Sequence, residues 1–491
     1  MTIHPILLLA LAALIHPAAS NSGQPSLQAP NQAAKSTGGA AAQAAQPAAP
    51  PASNAAPKLA QDFEGLARAI VTDLAAKRFD AVAARFTPQM AAALPGSKLA
   101  DTWGALIGQA GAFQSIRSVS LSDVQGYHAA VVVCAFEHTD LGLRVVLDSE
   151  GRFAGLNVVP ATPAAPWTPP EYAHPDSFTE VPATVGQDPL KLTATLSLPK
   201  GKGPFPAVVL VHGSGSTDQD ESIGPNKPFK DLAWGLASRG VAVLRYNKRS
   251  FQYPASFKGK QFTLEEEAIE DAKAAVAELA ARPDIDPKRI FVAGHSLGAM
   301  LAPRIAQEDP QVAGIAIMAG NSRPLEDLIV EQVKYEVGLS GPATPNGEEQ
   351  IAMAEKTAAD MRNPNLTSEQ TVSFLGIPLP GSYILDLRHY DQVRTAAGLK
   401  IPILVLQGAR DCQVRLADYE GWKKALAGDS RSTFHLYPNL YHLFIPVPAS
   451  DTTALSTPAD YQVPGHVAPE VLADIAAWIE AQARPGDGRL Q

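Results

Sequence analysis

The sequence predicts an open, mostly parallel α/β sheet, preceded by a small α+β domain. Two observations predict it. From Thr193 to Ala483, short apolar runs alternate with stretches of helical period, the pattern of strand–helix–strand crossovers. From Leu59 to Val159, helical periods come first and strand periods follow, so the two kinds of element segregate.

The elements follow in chain order. Ile6 to Ile15 is an apolar run of ten residues, too short to cross a bilayer core of ~30 Å as a helix. Small residues at Ala18 and Ser20 follow it, so residues 1–20 read as a signal peptide, although no Lys or Arg precedes the run. The mature chain is expected to start at Asn21 and to be exported, periplasmic or extracellular. No Cys follows the run, so no membrane anchor is expected on it. Residues 21–57 are almost all Ala, Pro, Gln, Ser, Gly and Asn, with Lys35 the one charge, and read as a disordered tether.

Residues 58–160 form the small domain. Phe63, Leu66, Ala67, Ile70, Val71 and Leu74 make one stripe of an amphipathic helix. Further helices are expected over Phe79–Phe86 and Lys98–Ile107, then strands over 115–121, 128–138, 141–148 and 153–159. This layout resembles cystatin-like and nuclear-transport-factor-like modules. His128 and His138 have no carboxylate at useful spacing and read as structural, and Cys134 reads as a buried small hydrophobe.

Composition narrows the function. Among 491 residues, 40 Lys and Arg face 49 Asp and Glu, a net charge of −9, which supplies no basic face for nucleic acid. Two cysteines, Cys134 and Cys412, make neither a disulfide framework nor a thiolate metal site, and whether they pair is left open.

Residues 161–176 are a proline-rich linker, and 177–485 hold the large domain. Pro206–Val211 is a continuous apolar run, as for a strand covered on both faces. A helix to Ala237 and the strand Val241–Tyr246 follow. Thr263 and Glu266 have capping-box spacing at the head of a helix that runs to Ala281. Strands are expected at 289–294, 314–318, 403–407 and 432–437, with helices at 299–307 and 469–483. Residues of about 323–398 are too many for a plain crossover and read as a helical cap, with helical spacing at 325–337 and 348–361.

Gly294-His295-Ser296-Leu297-Gly298 follows a predicted strand and opens a predicted helix. In that context G-x-S-x-G holds a serine on a strained turn as a nucleophile. A hydroxyl needs a base, and His442 lies beyond the last strand; Asp411, beyond the strand before it, is placed to orient the imidazole. Asp429 and His435 fit worse, lying between and within those strands, and Asp418 reads as solvated on the next helix. The oxyanion would be met by the N–H of Leu297 and that of Ser214, with Gly215 the alternative, while the His212 side chain reads as structural. Asp218, Asp220 and Glu221 read as a solvated or Lys/Arg-paired loop rather than a metal site, with Lys248 and Arg249 as its partners or as charges facing substrate.

On these residues the chain from Phe178 to Ala483 resembles the α/β-hydrolase fold of serine esterases and aminopeptidases. The stretch HGSGSTDQDESIGPNKPFKDLAWGLASRGVAVLRYNKRS is similar to bacterial exported carboxylesterases that carry a small N-terminal domain. The resemblance implies hydrolysis of a small-molecule ester by Ser296, Asp411 and His442 with no cofactor and no metal. Asn247 stands where such enzymes often have Asp. The function expected is a carboxylesterase. A serine aminopeptidase of the same fold is the alternative, and a non-catalytic binding protein on this scaffold the remote one. Acyl-chain preference and oligomeric state are not legible in the residues.

Overall fold

A computed structural model of the chain describes residues 62–93, 96–124, 127–161, 167–257, 259–339, 347–447 and 454–482. The expected signal peptide and tether lie outside them. The described residues fall into two compact units that divide near Pro163.

In the smaller unit, α1 (Phe63–Ala75), α2 (Phe79–Ala83), α3 (Pro88–Ala93) and α4 (Gly96–Ala110) precede four strands, β1 (Phe113–Val124), β2 (Tyr127–Phe136), β3 (Asp140–Leu147) and β4 (Phe153–Pro160). The strands form one antiparallel meander in sequence order. The stripe on α1 packs into it: Ala67, Ile70, Val71 and Leu74 are fully buried with Val132, Leu143, Val145 and Phe153. Burying each of the larger side chains contributes roughly 1.5–3 kcal/mol. Asp62 caps α1 by accepting from the Gly65 N–H at 2.8 Å. His128 stacks on Phe63, and Cys134 is a free, buried thiol pushed up to about 12 by burial.

The larger unit is built on an eight-stranded sheet. Its members are β5 (Phe178–Val185), β6 (Leu192–Pro199), β7 (Phe205–Val211), β8 (Ala242–Tyr246), β9 (Ile285–His295), β10 (Val312–Met318), β13 (Ile403–Gly408) and β14 (Ser432–Tyr437). Spatial order is β14-β13-β10-β9-β7-β8-β6-β5. The run from β14 to β8 is parallel, while β6 pairs antiparallel with β8 and with β5. Alternate residues of β7 serve opposite faces. Ala207, Val209 and Val211 join the core under α6 (Glu270–Ala280) and α7 (Leu297–Glu308), and Val208 and Leu210 join the core under α5 (Pro228–Ala237) and α13 (Pro469–Ala481). The capping box forms as spaced: Glu266 Oε2 accepts from the Thr263 N–H at 2.7 Å.

Between β10 and β13 lie α8 (Leu325–Leu339), α9 (Gly347–Met361), a two-stranded hairpin of β11 (Thr371–Phe374) and β12 (Ile377–Pro380), α10 (Gly381–His389) and α11 (Gln392–Gly398). The insertion is therefore not wholly helical. Val372, Phe374, Ile377 and Leu379 are all buried, and their alternation with exposed Thr371, Ser373 and Pro378 is the two-residue period of a strand. Helix α12 (Leu416–Ala425) links β13 to β14.

The loop after β7 is tied to the sheet by charge. Arg245 on β8, 2% exposed, donates to Asp220 at 2.9 Å and to Glu180 on β5 at 2.7 Å. Lys227 reaches Asp220 as well, at 3.0 Å. Removing one member strands the other charges in a poorly solvated place. Arg245→Met is expected to cost about 3 kcal/mol of stability, measured by urea denaturation. A cost near zero would show that the loop is held by other contacts.

Candidate active site

The parallel strands end level with one another: Val211 pairs with Gly294, Met318 with His295, and Gly408 with Tyr437. Residues just past those ends meet over the sheet edge. Ser296 is the residue between β9 and α7, at φ 52° and ψ −113°, in the left-handed half of backbone space that a serine rarely adopts. The turn is held by Ser296 N–H donating to the Met318 carbonyl at 3.0 Å. It closes so tightly that a Cβ on Gly294 would sit 2.1 Å from the Gly298 carbonyl oxygen, and one on Gly298 2.2 Å from that of Val211. The glycines are what let helix and strands meet. The Leu297 N–H is the first of α7 and has no intrahelical acceptor, so it is free to meet an anion.

His442 and Asp411 are brought together. His442 Nδ1–H donates to Asp411 Oδ2 at 2.7 Å, and the residues are 3% and 1% exposed. Asp411 Oδ1 accepts from the Gln413 and Val414 N–H groups at 2.8 and 3.0 Å, and Gln407 Nε2 donates to Oδ2 at 3.2 Å. The two loops are stitched where they leave the sheet, Arg410 N–H donating to the Leu440 carbonyl at 3.0 Å. Phe444 turns back at φ 58°, with its N–H on the Tyr441 carbonyl at 2.8 Å, which curls the chain around His442.

Ser214, Ser296, Leu297 and His442 line one cavity of about 230 Å³. Its outer wall is apolar and comes from the insertion: Leu325, Leu328 and Ile329 of α8 and Phe374 of the hairpin. Gln332, Gln413 and Gln462 also line it. Among the described residues no group of acids, His and Cys is arranged to hold a metal ion.

Asp418, Arg249 and Lys248 differ from their expected places, while Asp429, His435 and His212 lie where they were expected, outside the triad. Asp418 is fully buried, not solvated, because α12 packs on the loop after β10: Asp418 accepts from the Ser322 and Arg323 N–H groups, both at 3.0 Å, and from the Arg323 guanidinium at 2.7 Å. Asp429 pairs with Arg431, and His435 faces Asp474 at 3.1 Å, both away from the cavity. His212 is buried, donates Nε2–H to the Asp218 carbonyl at 3.1 Å, and is pushed down to about 4 by burial. Arg249 pairs with Asp271 and Glu270, not with the acidic loop. Lys248 does not pair with Asp218, Asp220 or Glu221 and does not line the cavity. It is 2% exposed and pairs with Glu267 at 2.9 Å. Asn247 ties the loop down, its Oδ1 accepting from the Gln219 N–H at 2.9 Å.

Sequence reasoning missed one pair altogether. Glu221, 2% exposed and at φ 49°, turns inward instead of joining Asp220. Its Oε1 accepts from the Gly213 N–H at 2.7 Å, and its Oε2 lies 3.0 Å from His295 Nδ1. His295 Nε2–H donates to the His442 carbonyl at 3.0 Å. Burial by itself would depress the His295 pKa, but the Glu221 carboxylate outweighs it and holds the imidazole above its ordinary value. Cys412 is free and buried, its thiol pushed up to about 12 by burial.

Two outcomes test this geometry. Gly298→Ala forces the Val211 strand end and α7 apart, so activity is expected to fall at least about tenfold, measured as kcat/KM, with a lowered melting temperature. Glu336, on α8, is pushed by burial from 4.5 up to about 7. The unfolded chain therefore releases this proton first, and the stability that the neutral carboxyl retains below pH 4.5 is lost as pH rises towards 7. Glu336→Gln should raise Tm at pH 8 by about 2–4 °C and leave it unchanged at pH 4. Equal shifts at both pH values would rule out ionisation as the cause.

Comparison with known proteins covers most of the chain. Residues 203–446 match the family described as "Serine aminopeptidase, S33", and residues 67–156 the family described as "Protein of unknown function (DUF3887)". "Esterase EstD" of Thermotoga maritima is 37% identical over 419 residues, which is 85% of this chain and 95% of that protein. Among solved structures, Est1E from Butyrivibrio proteoclasticus is 16% identical with a TM-score of 0.39, covering 61% of this chain and 98% of its own. The Pyrococcus furiosus esterase Pf2001 is 15% identical with a TM-score of 0.40, covering 65% of this chain and 95% of its own. The 419 residues matched to EstD reach into both units, and with that relationship the chain belongs to the α/β-hydrolase family, in the esterase group that carries a small N-terminal domain.

Proposed function

We propose that this protein hydrolyses carboxylic esters through an acyl-enzyme, with Ser296 as nucleophile, His442 as general base and acid, and Asp411 as the carboxylate that orients it. The observation that carries the reading is the buried His442–Asp411 pair, opening with the strained Ser296 onto one cavity. Ser296 Oγ bonds to the ester carbonyl carbon as its proton passes to His442 Nε2. The carbonyl oxygen becomes an oxyanion facing the Leu297 and Ser214 N–H groups. Collapse breaks the bond to the alcohol, which leaves with the proton from His442. Water then attacks the acyl-serine, again giving its proton to His442, and the acid departs. Asp411 fixes the tautomer with Nδ1 protonated and stabilises the imidazolium between steps.

The aminopeptidase family description supplies a second reading, which the cavity disfavours. A free α-ammonium needs a carboxylate, and Glu221 is the one acid among the described residues lining the cavity. Its two oxygens already face Gly213 and His295. We infer export to the periplasm or the outside of the cell from the signal-like sequence of residues 1–20.

Ser296→Ala and His442→Ala are expected to lower kcat by roughly 10⁶-fold, and Asp411→Asn by about 10⁴-fold, on a short acyl p-nitrophenyl ester. Aminoacyl p-nitroanilides should be turned over far more slowly than the ester. Turnover of the anilide at a comparable rate would make the protein a peptidase, and near-normal turnover by Ser296→Ala would overturn the site.

A further inference from the structure

We propose that Lys248 is a positioning residue for ester hydrolysis: it holds the peptide unit between Gly213 and Ser214 so that the Ser214 N–H points at the reacting carbonyl. This rests on the reading of Ser214 as an oxyanion donor.

The geometry starts from one contact. Lys248 Nζ donates to the Gly213 carbonyl oxygen at 2.8 Å. That carbonyl belongs to the same planar unit as the Ser214 N–H, and in a trans peptide the two point in opposite directions. An ammonium fixed on one end therefore aims the other. It also polarises the amide, since a hydrogen bond accepted at the oxygen strengthens the bond donated at the nitrogen. Gly213 lies close to the nucleophile: a Cβ built on it would be 3.2 Å from Ser296 Cβ. An error in this peptide's orientation is thus felt directly at the reacting atoms.

The lysine is itself anchored. Lys248 Nζ pairs with Glu267 at 2.9 Å, and both residues are nearly excluded from solvent at 2% and 4% exposure. Glu267 sits in a π-wound turn, Glu265–Ile269, that leads into α6. Such turns widen a helix locally and often re-aim one side chain at a functional site. The lysine backbone is tied to the same loop, its N–H donating to the Thr217 carbonyl at 3.2 Å. On the other side of Gly213, the preceding peptide is held by Glu221 through its N–H at 2.7 Å. The oxyanion loop is gripped by a cation on its carbonyl and an anion on its amide, and neither side chain is needed to touch substrate.

A surface role for Lys248 is excluded by its burial. A packing role alone is separable by kinetics, because packing would disturb folding or substrate binding, whereas orientation of an oxyanion donor acts only on the transition state. The double variant Lys248→Met/Glu267→Gln removes both members of the ion pair, so no buried charge is orphaned. Lys248→Gln is a second, single variant that keeps a neutral donor. Each is compared with wild type by circular dichroism melts, by kcat and KM on a p-nitrophenyl ester, and by inhibition with an alkylboronic acid, which forms a tetrahedral anion on the serine. In the double variant kcat should fall about 10- to 100-fold with KM within about twofold, and boronate affinity should fall by the same factor; Lys248→Gln should lie between it and wild type. Wild-type kcat in either folded variant, or a loss confined to KM, overturns the inference. Ser296→Ala is run alongside. If it is inactive while the Lys248 variants are normal, the positioning role alone fails. If it stays active, the reading beneath it fails.

Discussion

Helix α7 runs against the ends of β7 and β9 at a separation that no side chain could tolerate, and the rest of the site depends on that approach. With Gly294 and Gly298 bare, the chain leaves the sheet, reverses within one residue and enters the helix. Ser296 is the residue left on the crest, with its backbone strained and its N–H spent on the Met318 carbonyl. A residue held in this way has almost no conformational freedom left to lose when an ester arrives. The same close packing brings the Gly213 backbone up to the serine from β7. A shift of the helix would therefore move Ser296 and the Gly213 loop, the proposed nucleophile and oxyanion loop, together.

Around this fixed point the protein sets a layer of buried charge. Arg245, Asp220 and Glu180 bind the loop after β7 to the sheet edge, Lys248 and Glu267 bind it to the helix leading into α6, and Glu221 and His295 bind it to the loop of His442. Desolvating so many ions opposes folding unless each finds its partner. Hydrophobic packing could fill the same volume, yet it would not specify the direction of a single peptide group. Charged hydrogen bonds are directional, and they converge on the stretch from Gly213 to Ser222, where direction matters.

The sheet was legible because its signals are local. Continuous apolar runs such as Pro206–Val211 and the Thr263/Glu266 cap carry their meaning within a few residues. The places of Ser296, Asp411 and His442, the residues proposed as the triad, were legible for a related reason, since each stands just past a strand. The buried polar layer was not. Glu221 reads as one more acid in a hydrophilic loop, and its inward turn is set by Gly213 and by His295, which is far along the chain but ends the neighbouring strand β9. Asp418 looks solvated until the loop at Ser322 and Arg323 arrives from about a hundred residues upstream to claim it. The β11–β12 hairpin was hidden by its shortness, four residues a strand with prolines in the second.

The cavity draws its floor and its wall from separate stretches of chain. The floor comes from loops at the sheet edge, each bound into the network above, where a change in one residue is communicated to the others. The wall comes from α8 and the hairpin, whose Leu325, Leu328, Ile329 and Phe374 touch the cavity without joining that network. Mutations in the wall can therefore drift, reshaping which esters are admitted, while the chemistry beneath is inherited unchanged. Such a division separates the residues that shape the cavity from those that hold its floor, so that the two sets can vary independently.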